Sequence, residues 1–495
     1  MRLWGGLKIT ENSGNEREED CSARCESAYE EDLVGISKSV CPECFRVIDC
    51  QKLIRENRVF LHKNCPEHGF FEVPVYSDAN DYLNAIKSNT PGSKPLRYQN
   101  PVSRGCPLDC GLCEDHQQHT CVAIIEINDS CNLNCPICFA DSKNSYALSF
   151  EKVKEMIDLY FECEKEPEVL QISGGEPTLH PDILDILKYM GQKNILYPVL
   201  NTNGLMLADV GFAENIASTI DDDDSGIGKP VIYLQFDGFD DNIYTTLRGK
   251  PLLDIKMKAI ENCENLGLTV ALVSTVVKGV NDHEIGSIID FAMKKQNIKA
   301  VNFQPATLTG RYELENREKM RMTIPEVLHE IELQTNSILK KDNFTSVPCP
   351  HPTCSVCSYV YNHNGKMISL TKFLSSGDRR DYLVDRSIAD LEVMKKVEKS
   401  INVLNVLMNK NNACCSDGSG KCDCTLFPGM TTGSGKIIDN ITLISVHAFM
   451  DEYNFDLERA KKCCITEILP NGQMIPFCVY NILYRKKMSE QFREI

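Results

Sequence analysis

Three cysteines at spacings of four and three residues place the strongest constraint on this chain. They are Cys131, Cys135 and Cys138 in the segment CNLNCPICF, which follows the apolar run VAIIEI at residue 122. Three thiolates at these spacings suit a [4Fe–4S] cluster and leave its fourth iron open to a substrate or cofactor. The alternative is a structural zinc site whose fourth ligand comes from elsewhere in the chain.

The overall composition also indicates metal chemistry. Cysteine accounts for 25 of the 495 residues, and residues 1–20 lack the apolar stretch of an export signal. We therefore expect metal or iron–sulfur ligation rather than a disulfide framework. The formal net charge of −17 argues against general nucleic-acid binding, which needs a positive surface. No apolar run reaches the about 18–20 residues of a membrane helix, so we predict a cytoplasmic protein, with peripheral contact to a membrane face left open.

Apolar runs that alternate with helical patterns predict an α/β core between residues 121 and 330. The helical segment SFEKVKEMIDLYFE, for example, has Ser149 as a suitable N-cap and apolar residues at helical spacing. Six apolar runs are typical of buried strands, and they begin near residues 122, 168, 195, 231, 268 and 300. Strands that alternate with helices pair in parallel, so six of them predict a partial (β/α)6 barrel.

A second motif ends the second of these strands. The segment SGGEP, which contains Gly174, Gly175 and Glu176, lies about forty residues after the cysteine motif. Adjacent glycines allow close backbone approach, and exposed carbonyl and amide groups at a strand end can hold an amino-acid moiety. The motif carries little information alone, but its position on the strand after the three cysteines makes the combination specific.

CNLNCPICF and SGGEP on this β/α pattern resemble the radical SAM superfamily over about residues 120–310. The resemblance implies a cluster held by the three cysteines, with S-adenosylmethionine (SAM) on its open iron. It also implies reductive cleavage of SAM to a 5′-deoxyadenosyl radical that abstracts hydrogen from an unactivated carbon. The residues implied to bind SAM are Gly174, Gly175 and Glu176, with Asn203, Gln235 and Asp237 as further candidates. No residue that reacts with the substrate is identified.

An N-terminal pair of CPE motifs predicts a mononuclear metal site. Cys41 and Cys44 form the first motif, and Cys65 and His68 form the second about twenty residues later. A Cys3His set is typical of zinc, and rubredoxin-like iron is the alternative. Both motifs belong to a predicted Cys-rich region at 37–120, which follows a polar lead-in at 1–36.

Other cysteines predict one or two auxiliary clusters. Cys106, Cys110 and Cys113 repeat the spacing of the first motif, so we expect an auxiliary [4Fe–4S] cluster there, with zinc as the alternative. The predicted C-terminal Cys-rich region, 331–495, supplies candidates for a second cluster: Cys354, Cys463 or its neighbour Cys464, and Cys478. Cys121, Cys163 and Cys263 are instead predicted to be core residues.

Further stretches resemble one archaeal-type subgroup of the superfamily. They include CPECFRVIDC, CPLDCGLCEDHQQHT, YLQFDGFDDNIYTTLRG and LPNGQMIPFCVYN. The subgroup is that of tetraether synthase, whose members are also described as 7,8-dihydro-6-hydroxymethylpterin dimethyltransferases. The resemblance implies C–C coupling of archaeal lipid chains, with pterin C-methylation as the alternative and a non-catalytic iron–sulfur electron carrier as a remote one. The implied partners are a lipid or pterin substrate and a low-potential electron donor such as ferredoxin or flavodoxin.

Overall fold

The computed structural model of the chain describes most of the predicted core and its flanks. The described residues are 31–142, 146–164, 167–193, 195–220, 229–316, 318–363, 366–371, 386 and 440–486. Residues 1–30 of the predicted lead-in lie outside them. The remaining residues of that segment already contain the start of the first strand, at Asp32.

The strands and helices follow one another in a β/α order through the middle of the chain. The strands are β1 (Asp32–Val40), β2 (Val47–Arg55), β3 (Arg58–Cys65), β4 (Gly69–Tyr76), β5 (Val122–Glu126), β6 (Ile137–Cys138), β7 (Val169–Ser173), β8 (Tyr197–Thr202), β9 (Val231–Gln235), β10 (Val270–Val276), β11 (Ile298–Pro305), β12 (Arg311–Tyr312), β13 (Thr345–Ser346), β14 (Ser355–His363), β15 (Lys366–Ser369), β16 (Ile441–His447), β17 (Ile465–Ile468) and β18 (Met474–Pro476). The α-helices are α1 (Ala79–Lys87), α2 (Phe150–Cys163), α3 (Ile183–Gly191), α4 (Val210–Ala217), α5 (Asp241–Arg248), α6 (Leu253–Asn265), α7 (Ile285–Lys294), α8 (Ile324–Gln334), α9 (Leu457–Lys461) and α10 (Phe477–Val479). A π-helical turn, Tyr480–Tyr484, follows the last helix.

A mixed sheet of twelve strands forms the body of the described chain. Its order is β13-β14-β16-β11-β10-β9-β8-β7-β5-β17-β18, with β15 paired to β14. The six strands from β5 to β11 in this path pair in parallel and alternate with α2 to α7. They correspond to the six predicted strands, so the partial (β/α)6 barrel is confirmed as an open sheet.

Strands from the C-terminal region extend the same sheet. β16 pairs in parallel with β11, and β17 pairs in parallel with β5, so the two strands flank the six-stranded core. β14 and β18 then add antiparallel strands outside them. The C-terminal region is thus built into the barrel sheet rather than attached beside it.

The helices cover one face of the sheet because alternate strand residues are apolar. Ile125, Ile172, Leu200, Ile232 and Leu272 are fully buried in the main core, which they share with the inner faces of the helices. Burying a side chain of this size contributes about 1.5–3 kcal/mol relative to leaving it exposed. The opposite face of each strand is therefore free to carry polar groups.

Helix α2 forms where the sequence pattern predicts it. The Ser149 hydroxyl accepts a hydrogen bond from the Lys152 backbone N–H at 3.3 Å, which caps the first turn. Val153, Ile157 and Tyr160 are fully buried on one side of the helix. The helix thereby fixes the far end of the loop that carries the three-cysteine motif.

The N-terminal strands form a separate antiparallel sheet, β1-β2-β3-β4, that docks on the C-terminal segment. Lys52 on β2 pairs with the buried Asp456 carboxylate at 2.7 Å, and the Ser39 hydroxyl donates to Phe455 O at 2.6 Å. Burial opposes the Lys52 charge, but the Asp456 carboxylate outweighs it and raises the Lys52 pKa. Among the described helices, none is long and apolar enough to cross a membrane.

Candidate functional site

The three cysteines of the first motif lie on the loop that connects β5 to α2, at the carboxyl ends of the barrel strands. Cys138 is held in β6, which pairs with β12, and the Leu133 backbone N–H donates to Cys131 Sγ at 3.4 Å. All three thiols are partly buried. Burial raises the pKa of the Cys131 thiol to about 11 and also raises that of Cys135. An iron cluster would supply the positive charge that such thiolates need.

The two glycines of SGGEP allow the end of β7 to contact this loop directly. The Gly175 N–H donates to Asn128 O at 2.8 Å, and the Glu176 N–H donates to Ser130 O at 2.7 Å. A Cβ on Gly175 would lie 2.8 Å from Asp129 O and closer still to Ser130 O, and one on Gly174, at φ +145°, would overlap Asn128 O. Both positions therefore require glycine, and together they fix the entry to the cysteine loop.

Glu176 holds neighbouring strand ends together. Its carboxylate accepts hydrogen bonds from the hydroxyls of Thr178 at 2.6 Å and Thr202 at 2.7 Å, and from the Asn203 N–H at 2.7 Å. The Asn203 amide in turn donates to Asn132 Oδ1, on the cysteine loop, at 2.7 Å. Glu176 and Asn203 thus position the loop, and the SAM contacts predicted for them stay predictions.

Asp237 forms a buried ion pair that the sequence analysis did not anticipate. Arg248 from α5 donates to both carboxylate oxygens, at 2.7 and 2.9 Å, and Asp237 is fully buried. Arg248 also donates to the Thr275 hydroxyl at 2.9 Å and hydrogen-bonds the Cys135 side chain. The pair places a fixed cation beside a candidate cluster ligand. Since these contacts occupy both oxygens of Asp237, we assign it a positioning role.

A second buried basic side chain, Lys256 from α6, lies at the same carboxyl ends of the barrel strands. Its ammonium donates to Asn203 O at 2.5 Å, to Gln235 O at 2.9 Å and to Gln235 Oε1 at 2.6 Å. Burial lowers the Lys256 pKa to about 7, and the nearby Asp237 opposes that effect. Gln235, predicted to bind SAM, is therefore held between Lys256 and Asp237.

The N-terminal metal site predicted from the CPE motifs has its four side chains together. The ligand atoms of Cys41, Cys44, Cys65 and His68 all lie within 4.8 Å of one another. His68 Nδ1 is 3.6 Å from Cys41 Sγ and 3.5 Å from Cys65 Sγ. Cys50, on β2, lies outside this set, and burial raises its pKa to about 12. The donor set and spacing suit one tetrahedral ion.

The predicted auxiliary-cluster cysteines also come together. The side chains of Cys106 and Cys110 share a hydrogen bond, and Cys113 lies within electrostatic reach of both. The ring Nε2 of His116, three residues after Cys113, contacts Cys463 O at 2.9 Å. Cluster binding by these cysteines stays a prediction.

The C-terminal candidates converge in the same way. Cys354, Cys463 and Cys478 lie within electrostatic reach of one another, and burial raises the pKa of Cys478 to about 12. The Arg459 guanidinium donates to Cys354 Sγ at 3.2 Å and offsets thiolate charge there. These three cysteines therefore lie in the same part of the fold but outside the sets whose ligand atoms are all within 4.8 Å of one another, and their ligand role stays a prediction.

Polar side chains line the face of the barrel sheet that the helices leave uncovered. The Tyr233 hydroxyl accepts hydrogen bonds from the amides of Asn302 at 2.6 Å and Gln304 at 3.0 Å. Tyr233 lies on β9, whereas Asn302 and Gln304 lie on β11, and β10 lies between these two strands. The two hydrogen bonds therefore cross the concave face of the sheet. On the same face, Asn201 donates to the Ser173 hydroxyl at 3.0 Å. We call this face the lumen.

A carboxyl group that has no side-chain hydrogen-bond donor also lies on the lumen face. Glu467 on β17 pairs in register with Ile124 of β5, and so lies on the same face as Glu126. Glu126 is bound by Arg485 through two contacts at 2.8 and 2.6 Å, whereas the fully buried Glu467 has no side-chain donor on either oxygen and has the Glu126 backbone N–H nearby. Burial, reinforced by the Glu126 charge, raises the Glu467 pKa well above its usual value. Sequence reasoning missed this residue because nothing in CCITEILP distinguishes it from a surface glutamate.

Comparisons with known proteins agree with this geometry. The radical SAM superfamily model matches residues 125–292, and the HMPTM N-terminal zinc ribbon domain model matches residues 33–77. The chain is 32% identical to 7,8-dihydro-6-hydroxymethylpterin dimethyltransferase of Methanocaldococcus jannaschii, over 92% of this chain and 94% of that protein. It is 27% identical to GTP 3′,8-cyclase of Campylobacter jejuni subsp. doylei, over 48% of this chain and 75% of that protein.

A solved structure, Streptococcus suis SuiB bound to precursor peptide SuiA, is 17% identical over 45% of this chain and 47% of that chain, with a TM-score of 0.37. That likeness is too low to add to the assignment.

The matches confirm that the chain is an enzyme of the predicted superfamily, whose members use a [4Fe–4S] cluster and SAM. They favour the pterin alternative over lipid coupling, because the relative that spans nearly the whole chain is named for pterin dimethylation. The chain belongs to the radical SAM superfamily and, within it, to the family of 7,8-dihydro-6-hydroxymethylpterin dimethyltransferase.

Proposed function

We propose that this enzyme transfers methyl groups to carbon atoms of 7,8-dihydro-6-hydroxymethylpterin. The relative that covers most of the chain carries this name, and the two chains align over almost their full lengths. The observation that carries the proposal is the polarity of the lumen, where a fully buried carboxyl group has no side-chain hydrogen-bond donor. In each transfer a hydrogen of a pterin C–H bond would leave in 5′-deoxyadenosine, and a methyl group supplied directly or indirectly by a second SAM would take its place, with the electrons coming from the low-potential donor.

The polar lumen argues for a heterocycle rather than an aliphatic chain. A lipid chain would leave the side-chain oxygen of Asn302 and the carboxyl of Glu467 against hydrocarbon without a side-chain donor. Burying a polar group without a hydrogen-bond partner costs about 1–3 kcal/mol by protein mutational data. A pterin ring instead offers N–H donors and ring acceptors to such groups, and polar groups of this kind fix the orientation of a bound ligand.

Glu467 is the residue best placed to recognise the pterin ring. The pyrimidine edge of a pterin presents a ring N–H beside an amino group, so two donors point in the same direction. A carboxylate accepts such a pair through its two oxygens, as it does with an arginine fork. These two hydrogen bonds would also stabilise the ionised carboxylate, which burial alone disfavours.

The protein's own residues prepare the site for radical chemistry. When bound at Cys131, Cys135 and Cys138, a [4Fe–4S] cluster with SAM supplies a 5′-deoxyadenosyl radical. Gly174 and Gly175 hold the cysteine loop against β7 through the short backbone contacts described above. Arg248 and Lys256 place two buried basic side chains beside the cysteine loop.

The remaining cofactors and partners form part of the same proposal. We assign zinc to the Cys41, Cys44, Cys65 and His68 site, supported by the spacing of its ligand atoms and by the zinc ribbon match. Auxiliary [4Fe–4S] clusters at the two other cysteine groups and a low-potential electron donor complete the assignment. Peripheral contact with a membrane stays a prediction from the sequence.

A labelling experiment tests the proposed reaction. Anaerobically reconstituted, reduced enzyme is incubated with methyl-labelled SAM and the dihydropterin, and in parallel with archaeal diether lipid. We expect the pterin to gain labelled methyl groups and 5′-deoxyadenosine to accumulate above the level of a Cys135→Ala control. A pterin that gains no mass contradicts the proposal, and coupling of the lipid chains would replace it with the lipid reaction.

Replacing Glu467 with glutamine is expected to weaken pterin binding by about 10- to 100-fold, because a hydrogen bond to a charged group contributes about 1.5–3 kcal/mol. Pterin fluorescence titration in the absence of reductant measures the dissociation constant. Glu326→Gln is the control, since the Glu326 carboxylate caps α8 away from the lumen. Unchanged affinity in Glu467→Gln would remove this assignment but leave the labelling result standing.

A further inference from the structure

Three buried thiols meet at the amino-terminal edge of the barrel, away from the cysteine loop. Cys121 directly precedes β5, Cys464 directly precedes β17, and Cys349 lies in the connection between β13 and β14. Their Sγ atoms all lie within 4.8 Å of one another, and their side chains are at most 2% exposed. We call them the three-thiol group. Sequence analysis predicted only that Cys121 is a core residue and that Cys464 is an alternative cluster ligand.

The spacing of the group fits a single metal ion. Thiolates bound to one tetrahedral zinc at about 2.3 Å lie about 3.8 Å apart, whereas cluster thiolates bind different irons and lie farther apart. In the zinc ribbon site Cys44 Sγ is 3.9 Å from Cys65 Sγ, which is close to this value, whereas Cys121 Sγ and Cys349 Sγ in the three-thiol group are closer together than two zinc-bound thiolates. Within the described chain, the ribbon site and the three-thiol group are the two cysteine-containing sets this compact.

A disulfide is the main alternative, because Cys121 Sγ and Cys349 Sγ are in contact. The Cα atoms of these two residues are 7.8 Å apart, however. Cysteines whose Cα atoms are more than about 7 Å apart cannot be bridged without backbone movement. A disulfide would also leave the buried Cys464 thiol unused beside it, whereas a metal ion uses all three.

A histidine contacts one member of the group, Cys121, but lies outside the set of ligand atoms that are within 4.8 Å of one another. His119 Nε2 is 3.6 Å from Cys121 Sγ, the same separation as that between His68 and Cys41 in the ribbon site. The other ring nitrogen, Nδ1, lies 3.2 Å from the buried Glu164 carboxylate. A carboxylate on the far nitrogen is the usual device that orients a metal-binding histidine.

We propose that the three-thiol group binds one zinc ion, and that His119, which contacts Cys121, turns toward the ion to complete the four ligands. Binding releases a proton from each thiol, because zinc takes cysteine as thiolate. Zinc is favoured over an iron–sulfur cluster by the compact spacing and by the mixed thiolate and imidazole donors. The ion would be a second mononuclear metal in the chain, separate from the ribbon site and from the cysteine groups predicted to hold clusters.

The position of this ion gives it a structural role. The Cys121 N–H donates to Cys464 O at 3.0 Å, where β17 begins its parallel pairing with β5. Cys349 brings in a third segment, 228 residues from Cys121. A metal that joins such distant segments stabilises the fold by closing long loops. The ion would also lie at the amino ends of the strands, opposite the cysteine loop. In β/α barrels that end contributes to stability, whereas catalytic residues lie at the carboxyl ends.

Metal analysis of the full-length, anaerobically purified holoenzyme tests the proposal. A Cys41→Ser/Cys44→Ser variant removes zinc from the ribbon site, and we expect it to retain one zinc per chain. X-ray absorption at the zinc edge of that variant is expected to show three sulfur ligands and one nitrogen ligand. This measurement leaves the three-thiol group intact, so it does not depend on whether a variant of the group folds.

Adding Cys349→Ser is expected to remove the remaining zinc without changing the iron and sulfide content. Cys357→Ser is the matched control, since Cys357 is buried in the same apolar cluster but lies outside the three-thiol group. Absence of zinc from the ribbon-disabled variant would overturn the proposal. Loss of iron and sulfide on adding Cys349→Ser, or resistance of Cys121 and Cys349 to alkylation without reductant in metal-free protein unfolded in denaturant, would also overturn it.

Discussion

Replacing Gly175 with alanine is expected to reduce SAM cleavage by about 100-fold, the usual effect of displacing a reacting group by about 1 Å. The new Cβ would lie 2.8 Å from Asp129 O and closer still to Ser130 O. These are backbone atoms of the segment that enters the cysteine loop, so the overlap is relieved only by moving Cys131. The yield of 5′-deoxyadenosine from reduced, reconstituted enzyme measures the effect.

Gly211→Ala is the control for this prediction. Gly211 lies on α4, where an added Cβ meets only Asp209 Oδ1 at 3.4 Å. Alanine in a helix is favoured over glycine by about 1 kcal/mol, so this variant should keep full activity and gain slightly in stability. Normal SAM cleavage by Gly175→Ala would mean that contact between β7 and the loop does not position the cluster.

Replacing Arg248 with methionine is expected to lower the free energy of unfolding by about 3–5 kcal/mol, because it leaves a buried charge uncompensated. The charge left behind is that of Asp237, which is fully buried and receives two hydrogen bonds from Arg248. The loss also removes a donor from Cys135, so retention of the cluster should fall. Anaerobic denaturant unfolding and iron analysis measure the two effects.

The double variant Arg248→Met/Asp237→Leu separates the two effects. Replacing both members of a buried ion pair by apolar residues is often neutral for stability, so much of the lost unfolding free energy should return. Cluster retention should stay low, because Cys135 still lacks its cationic neighbour. Recovery of both properties would show that Arg248 acts only through Asp237, and recovery of neither would point to a packing defect.

The barrel could be predicted because its strands are buried on both faces over much of their length. Such strands appear in the sequence as short, nearly continuous apolar runs, and all six runs became strands of the sheet. Helix α2 followed from its Ser149 cap and its apolar spacing. The pairing of β16 and β17 with the ends of the barrel could not be predicted, because it joins strands that are far apart in the sequence.

In the functional site, too, only the residues that form a local sequence pattern could be predicted. The cysteine motif and SGGEP are local patterns, and each carries its chemistry in a few consecutive residues. Arg248, Lys256 and Glu467 are single charged residues, which are ordinarily exposed, so no pattern indicated their burial. Cys121 was predicted to be buried and is, but its two sulfur neighbours come from other segments of the chain.

The sequence by itself indicated the reaction class, because the cysteine motif and SGGEP together resemble the radical SAM superfamily, whereas the cysteine spacing alone leaves a zinc site open. It also determined the barrel, because local apolar patterning selects strands and helices. Only the tertiary structure decided the polarity of the lumen and the meeting of Cys121 with Cys349 and Cys464. These features depend on which strands, far apart in the sequence, become neighbours in the sheet. Packing of the whole core determines that pairing, and no local segment does so alone.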